Sequence, residues 1–106
     1  METRKYWLSY DLGVGGDYSS LYEWLDDHDA VPCGNSVAFF SYSTRKDDID
    51  KALRDELTGK IDLNPGNKLY IIRFVGGNVK GSFIYGKRSG TPWEGYGTKN
   101  EDGDDE

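Results

Sequence analysis

Residues 68–85 constrain this chain more than any other stretch: KLYIIRFV, then Gly76-Gly77-Asn78, then Val79 to Tyr85. Two β-prone runs joined by a glycine pair form an antiparallel hairpin, because glycine enters a positive-φ turn without steric cost. In the first run Leu69, Ile71 and Val75 alternate with Tyr70, Ile72 and Phe74, so both sides of that strand are apolar. Successive side chains of a strand point to opposite faces of the sheet. A sheet grown from this hairpin therefore has two apolar faces to cover, and the helices of one short chain can cover only one. The pattern predicts a second layer from elsewhere, most simply a second copy in an isologous homodimer.

The remaining elements follow from period and punctuation. Lys5 to Leu12 reads as strand one, with Tyr6, Leu8 and Tyr10 on one side and Trp7, Ser9 and Asp11 on the other. The run GVGGD is a turn whose Asp17 is placed to cap a helix over Tyr18 to Asp29, with Tyr18, Leu21, Tyr22 and Leu25 as its apolar stripe. Residues 31–35 form a turn-rich break before an inner strand over Ser36 to Tyr42. A second helix follows Ser43, with Thr44 and Asp47 at capping-box spacing, Ile49, Ala52, Leu53 and Leu57 buried, and Gly59 ending it. Thr91 to Tyr96 reads as a short extra strand or docking arm. The order β-α-β-α-β-β predicts an α+β, ferredoxin-like domain, two helices on one face of an antiparallel sheet. Its expected extent is 1–97, with a core over about 5–86, an arm over 87–97 and a disordered acidic tail over 98–106.

Size and charge narrow the function classes. At 106 residues and 36% hydrophobic, the chain suffices for one core but not two. No stretch is long and apolar enough to cross a bilayer, and METRKYW lacks the apolar centre of a secretion signal, which predicts a cytoplasmic protein with no membrane partner. One cysteine and one histidine exclude an internal disulfide and an ordinary zinc site, leaving oxygen-bound hard ions as the metals to consider. The net charge of -6 is unevenly spread: residues 1–59 hold 12 acids and six bases, residues 60–100 two acids and seven bases, and residues 101–106 five acids and no base. An acidic side and a basic side are expected, and the acidic stretch is either simply solvated or folds back on the basic region to compete with an anionic ligand.

Few residues offer chemistry. Cys33 and His28 have no partner nearby in sequence for nucleophilic work. GVGGD matches neither a phosphate loop nor a dinucleotide fingerprint, and Lys80 to Tyr85 only faintly echoes an RNA-recognition strand. Asp11, a carboxylate at a strand end beside a glycine-rich loop, stands where an ion or water can be held, and two copies brought together by dimerisation would offer more oxygen ligands than one.

The run Leu8-Ser9-Tyr10-Asp11-Leu12, the helix Asp17 to Leu25 and the later Ser36-Val37-Ala38-Phe39-Phe40 resemble the small ferredoxin-like CRISPR-associated protein that partners the adaptation integrase. They resemble its stand-alone SinR-type relatives more closely, and the virulence-associated D ribonucleases more distantly, over residues 5–85. The resemblance implies a homodimer in which Asp11 of each protomer binds Mg²⁺ or Mn²⁺ for phosphodiester hydrolysis, with Tyr10 shaping the pocket. This chain has Gly34-Asn35 before Ser36, where an arginine would be expected.

Two functions remain open at this point. The first is a nucleic-acid-binding dimer, with or without metal-dependent nuclease activity, with Arg73, Lys80, Lys87 and Arg88 on the phosphates of DNA or RNA. The second is a non-enzymatic module that offers helical carboxylates (Glu23, Asp26, Asp27, Asp47, Asp48, Asp55) to a protein partner, as a regulator or inhibitor of a nucleic-acid-handling machine.

Overall fold

A computed structural model describes residues 1–99. Strand β1 (Glu2–Asp11) leads to helix α1 (Tyr18–Asp27), a two-residue strand β2 (Val31–Pro32) and strand β3 (Val37–Thr44). Helix α2 (Ile49–Lys60) and the hairpin β4 (Lys68–Val75) and β5 (Asn78–Tyr85) complete it. The five strands form one antiparallel sheet in the order β2-β3-β1-β4-β5. This is an α+β fold, compatible with a ferredoxin-like arrangement.

The hairpin turns as its glycines require: Gly76 and Gly77 have φ of 59° and 82°. Asp17 caps α1 by accepting from the Ser20 amide at 3.2 Å, and a second Asp17 oxygen accepts from the Asp62 amide at 2.9 Å. These bonds hold its carboxyl below the usual carboxylate range.

Both helices lie on one face of the sheet. Tyr6, Leu8 and Tyr10 of β1, Ala38, Phe40 and Tyr42 of β3, and Leu69 and Ile71 of β4 are buried there with Leu21, Trp24, Leu25, Ile49, Ala52, Leu53 and Leu57 of the helices. The stripe expected for α2 is the one observed. On α1 it is rotated: Tyr22 is half exposed, and Trp24 takes the buried place against Phe40 and Tyr42. The large indole fills space beyond a tyrosine's reach, and its Nε1–H donates to Glu56 at 2.7 Å.

Four further expectations differ from the structure. The break at 31–35 contains β2, paired through Val31 with Phe39 and through Pro32 with Ala38. The cap of α2 is Asp48, which accepts from the Lys51 amide, because Thr44 still belongs to β3. Helix α2 continues through Gly59 to Lys60, held by burial of Leu57 and of Ile61 just beyond. Residues 91–96 form exposed turns instead of a strand, closed by the Glu94 amide on Thr91 and the Tyr96 amide on Trp93. Of the tail expected over 98–106, residues 100–106 lie outside the described residues.

Candidate nucleic-acid interface

Tyr10 and Asp11 end β1 on opposite faces of the sheet. Tyr10 is buried among the rings of Tyr18 and Tyr22, and its hydroxyl donates to the Asn35 carbonyl at 3.4 Å. Burial, followed by the neighbouring Tyr22 hydroxyl, pushes its pKa up, so Tyr10 stays a neutral packing group. Asp11 is exposed and accepts the Gly13 amide at 3.0 Å, closing a short turn. Its cross-strand partner is Lys68, the first residue of β4.

Lys68 joins Asp11 to a groove at the same end of the sheet. The groove holds about 440 Å³ and has two walls, one from residues 65–68 and the other from Tyr85 to Ser89. The first wall is the turn Asn64-Pro65-Gly66-Asn67, with proline second, glycine third at φ 92°, and the Asn67 amide donating to the Asn64 carbonyl at 3.0 Å. Asn67, almost fully buried, accepts the Asn64 amide through Oδ1 and donates through Nδ2 to the Leu12 carbonyl, which ties the wall to the end of β1. The second wall comes close only because residue 86 is glycine. Gly86 has φ of 80°, and a Cβ there would stand 2.3 Å from the Asn67 carbonyl oxygen. Three cations, Lys68, Lys87 and Arg88, line the groove, and no carboxylate does. Among the described residues none of the three forms an ion pair.

The other two expected phosphate contacts lie elsewhere. The Arg73 guanidinium, on the helix-covered face, donates to Asp50 at 2.9 and 3.1 Å and to the Ser82 hydroxyl at 3.1 Å. Asp50 also receives bonds from Arg4 and the Tyr6 hydroxyl. Burial of Asp50 opposes ionisation, but the Tyr6 hydroxyl and the two guanidiniums outweigh it and hold its carboxyl below the usual range. Lys80 is exposed on β5, an edge strand, opposite Arg73. The structure thus brings Lys87 and Arg88 together with Lys68, the cross-strand partner of Asp11, and leaves Arg73 and Lys80 opposite one another on β4 and β5. Sequence reading passed over Lys68 and Asn67. The Asn-Pro-Gly-Asn turn was a readable signal, whereas the Asp11–Lys68 register is a long-range pairing with no local one.

The face of the sheet away from the helices is uncovered. Trp7 of β1 packs on Phe39 of β3 at 4.9 Å and on Phe74 of β4 at 6.4 Å, while Tyr70 meets Phe83 of β5 at 4.8 Å. Tyr70 lies over Gly81, where a Cβ would come within 2.3 Å of its hydroxyl. Trp7, Phe39, Tyr70, Ile72 and Phe83 are partly buried there, and Phe74 is more than half exposed.

The remaining reactive groups are occupied within the fold. His28 stacks on Trp24 at 3.7 Å, with Nδ1 2.8 Å from the Trp24 carbonyl, and Cys33 is exposed with its thiol on the Val31 carbonyl. Among the helical acids, Glu23 pairs with Lys60, Asp55 with Lys51 and Arg54, and Asp48 caps α2. A hard divalent ion takes about six oxygen ligands. Asp11 is one carboxylate, Asp17 is spent on two amides, and among the described residues no three His, Cys, Asp or Glu side chains gather as an ion would need. The described residues of a single chain do not gather the donors of a Mg²⁺ or Mn²⁺ site. No helix among the described residues is long and apolar enough to cross a membrane. Comparison with family models, curated proteins and solved structures found no match to this chain.

Proposed function

We propose that the protein binds the phosphate backbone of a nucleic acid through the groove of Lys68, Lys87 and Arg88, as a homodimer joined across its uncovered sheet face. The observation that carries the binding reading is the two-walled groove with three cations and no carboxylate. Lysine and arginine side chains that displace counterions from phosphates supply most sequence-independent affinity for nucleic acid. The walls are fixed by Asn67 and by the Gly86 approach, so the backbone that carries the cations is set before binding and only their side chains must be ordered.

The dimer reading rests on the open face. A cluster containing Trp7, Phe39, Tyr70, Ile72, Phe74 and Phe83 is costly to leave in water, and a second copy offers the same surface in return. Asp11 is on this face too, at the end of β1, and a second copy seated with its axis near that end would bring its own Asp11 close. That is the arrangement implied by the CRISPR-associated resemblance. Hydrolysis of a phosphodiester by this route requires a bound divalent ion, whose ligands the described residues of one chain do not assemble.

The test is fluorescence anisotropy with labelled single-stranded RNA and double-stranded DNA at low salt. The wild-type chain is expected to bind, and the Lys68→Ala/Lys87→Ala/Arg88→Ala variant to lose at least tenfold in affinity. Equal binding by the two would remove the groove from the function.

A further inference from the structure

We propose that Trp93 and Tyr96 form a stacking platform for the bases of a single-stranded nucleic acid whose phosphates lie on Lys68, Lys87 and Arg88. This assignment rests on the groove reading above and narrows its ligand from nucleic acid in general to unpaired strands.

The three tryptophans of the chain sit in different surroundings. Trp24 is buried against Phe40 and Tyr42, and Trp7 is partly buried on Phe39 and Phe74. Trp93, in contrast, is 74% exposed, and Tyr96 is 87% exposed. Among the described residues neither ring packs on another aromatic ring. Rings of this kind bury about 150 to 250 Å² each when they serve a core or an interface. These two serve no core of their own chain.

Two successive turns hold them outward. The Glu94 amide donates to the Thr91 carbonyl at 3.0 Å in a turn with Pro92 second, and the Tyr96 amide donates to the Trp93 carbonyl at 3.1 Å. The second turn has Gly95 in third place with φ of 85°, the conformation that a type II turn requires there. Such a turn brings its end residues, here Trp93 and Tyr96, within about 7 Å at Cα. Pro92, Trp93 and Tyr96 accordingly line one open hollow of about 290 Å³, and both rings also border a second hollow with Glu94 and Lys99.

Position identifies the occupant. Arg88 and Ser89 belong to the second wall of the groove, so the arm leaves directly from residues assigned to phosphate. Trp93 is five residues beyond Arg88, at most about 18 Å of extended chain. A strand held at Arg88 therefore reaches the rings a few nucleotides further on. Bases of a duplex hide their faces in their own stack, whereas every base of an unpaired strand offers a π-face to an aromatic ring. Residues 90–99 carry one acid, Glu94, and one base, Lys99, so the arm adds stacking without adding net charge.

The test is anisotropy on the full chain with a labelled single-stranded oligonucleotide and with its duplex, over a range of salt. Trp93→Ala/Tyr96→Ala is expected to lose at least about tenfold in affinity for the single strand, and to stay within about twofold of wild type on the duplex. Its salt slope should equal that of wild type, because phosphate contacts set the slope. Trp93→Phe/Tyr96→Phe should recover most of the loss, since phenylalanine keeps a stacking face. Unchanged single-strand affinity in the alanine variant overturns the platform, and loss of binding in Lys68→Ala/Lys87→Ala/Arg88→Ala would then leave the groove reading standing. Equal losses on both ligands also overturn it, because the arm would then support binding without reading unpaired bases. A fall in mass by light scattering with single-strand affinity retained would assign the rings to a second copy instead. A wild-type chain that binds neither ligand rejects the groove and the platform together.

Discussion

The two faces of this sheet treat charge in opposite ways. On the covered face the part-buried carboxylates are paired: Asp50 holds Arg4, Arg73 and the Tyr6 hydroxyl, and Glu56 holds the Trp24 indole and the Tyr42 hydroxyl. At the uncovered end Asp11, Lys68, Lys87 and Arg88 make no ion pair among the described residues. Charges buried beside helices must be satisfied for the fold to form. Charges left unsatisfied at a preformed groove cost little in water and stay available for a ligand. Arg73 and Arg88 have the same side chain, yet the first serves the fold and the second the surface.

The sharpest way to break this contrast is to remove one carboxylate from each side. Asp50→Ala leaves two guanidiniums without their partner and is expected to lower stability by about 3 kcal/mol in urea unfolding. Asp11→Asn, in contrast, should change stability by less than about 0.5 kcal/mol. Similar losses from both would mean that the two ends are equally structural. The groove variant Lys68→Ala/Lys87→Ala/Arg88→Ala comes next: its stability should stay within about 1 kcal/mol of wild type while oligonucleotide affinity falls. Ile72→Lys places a charge on the open face and is expected to halve the mass measured by light scattering without unfolding the chain. A wild-type protein already monomeric at high concentration would reject the dimer.

The smallest effects lie in pH. The folded-state pKa of Asp50 is lowered, so its pairing contributes stability above the ordinary carboxylate range, about 3.9, and loses it as pH falls through the folded value. Tyr42 behaves in reverse. Burial, and then its bond to Glu56, push its pKa up to about 12. The neutral hydroxyl therefore contributes stability fully below an unfolded value of about 10. That contribution disappears as pH rises through the folded value. Tyr42→Phe should flatten the alkaline limb of a urea-midpoint profile, and Asp50→Asn the acid limb. Unchanged limbs would show that neither pair is formed in solution.

Much of the fold was readable locally. The hairpin followed from Gly76-Gly77, the α2 stripe from Ile49, Ala52, Leu53 and Leu57, and the α1 cap from Asp17. The misreadings came where tertiary packing overrides local pattern. Trp24 displaced Tyr22 because Phe40 and Glu56 lie across from it, and β2 exists because β3 offers two residues a free edge. Of the candidate site, Asp11, Lys87 and Arg88 were legible as types at suggestive places. The grouping of Lys87 and Arg88 with Lys68, and of Lys68 with Asp11, was not, because it depends on the β1–β4 register and on the Asn67–Leu12 bond, which joins residues 55 apart. Arg73 looked like a phosphate contact since nothing local reveals that Asp50, 23 residues earlier, faces it.

The most direct test is the salt dependence of oligonucleotide affinity, measured for wild type and the triple groove variant between about 50 and 200 mM salt. Each phosphate contact contributes about 0.7 to 0.9 to the slope of log affinity against log salt. The wild-type slope should therefore exceed that of the variant by about 2 to 3, with weaker binding by the variant throughout. Equal slopes for the two proteins, or affinity indifferent to salt, would contradict the claim that this groove binds phosphate.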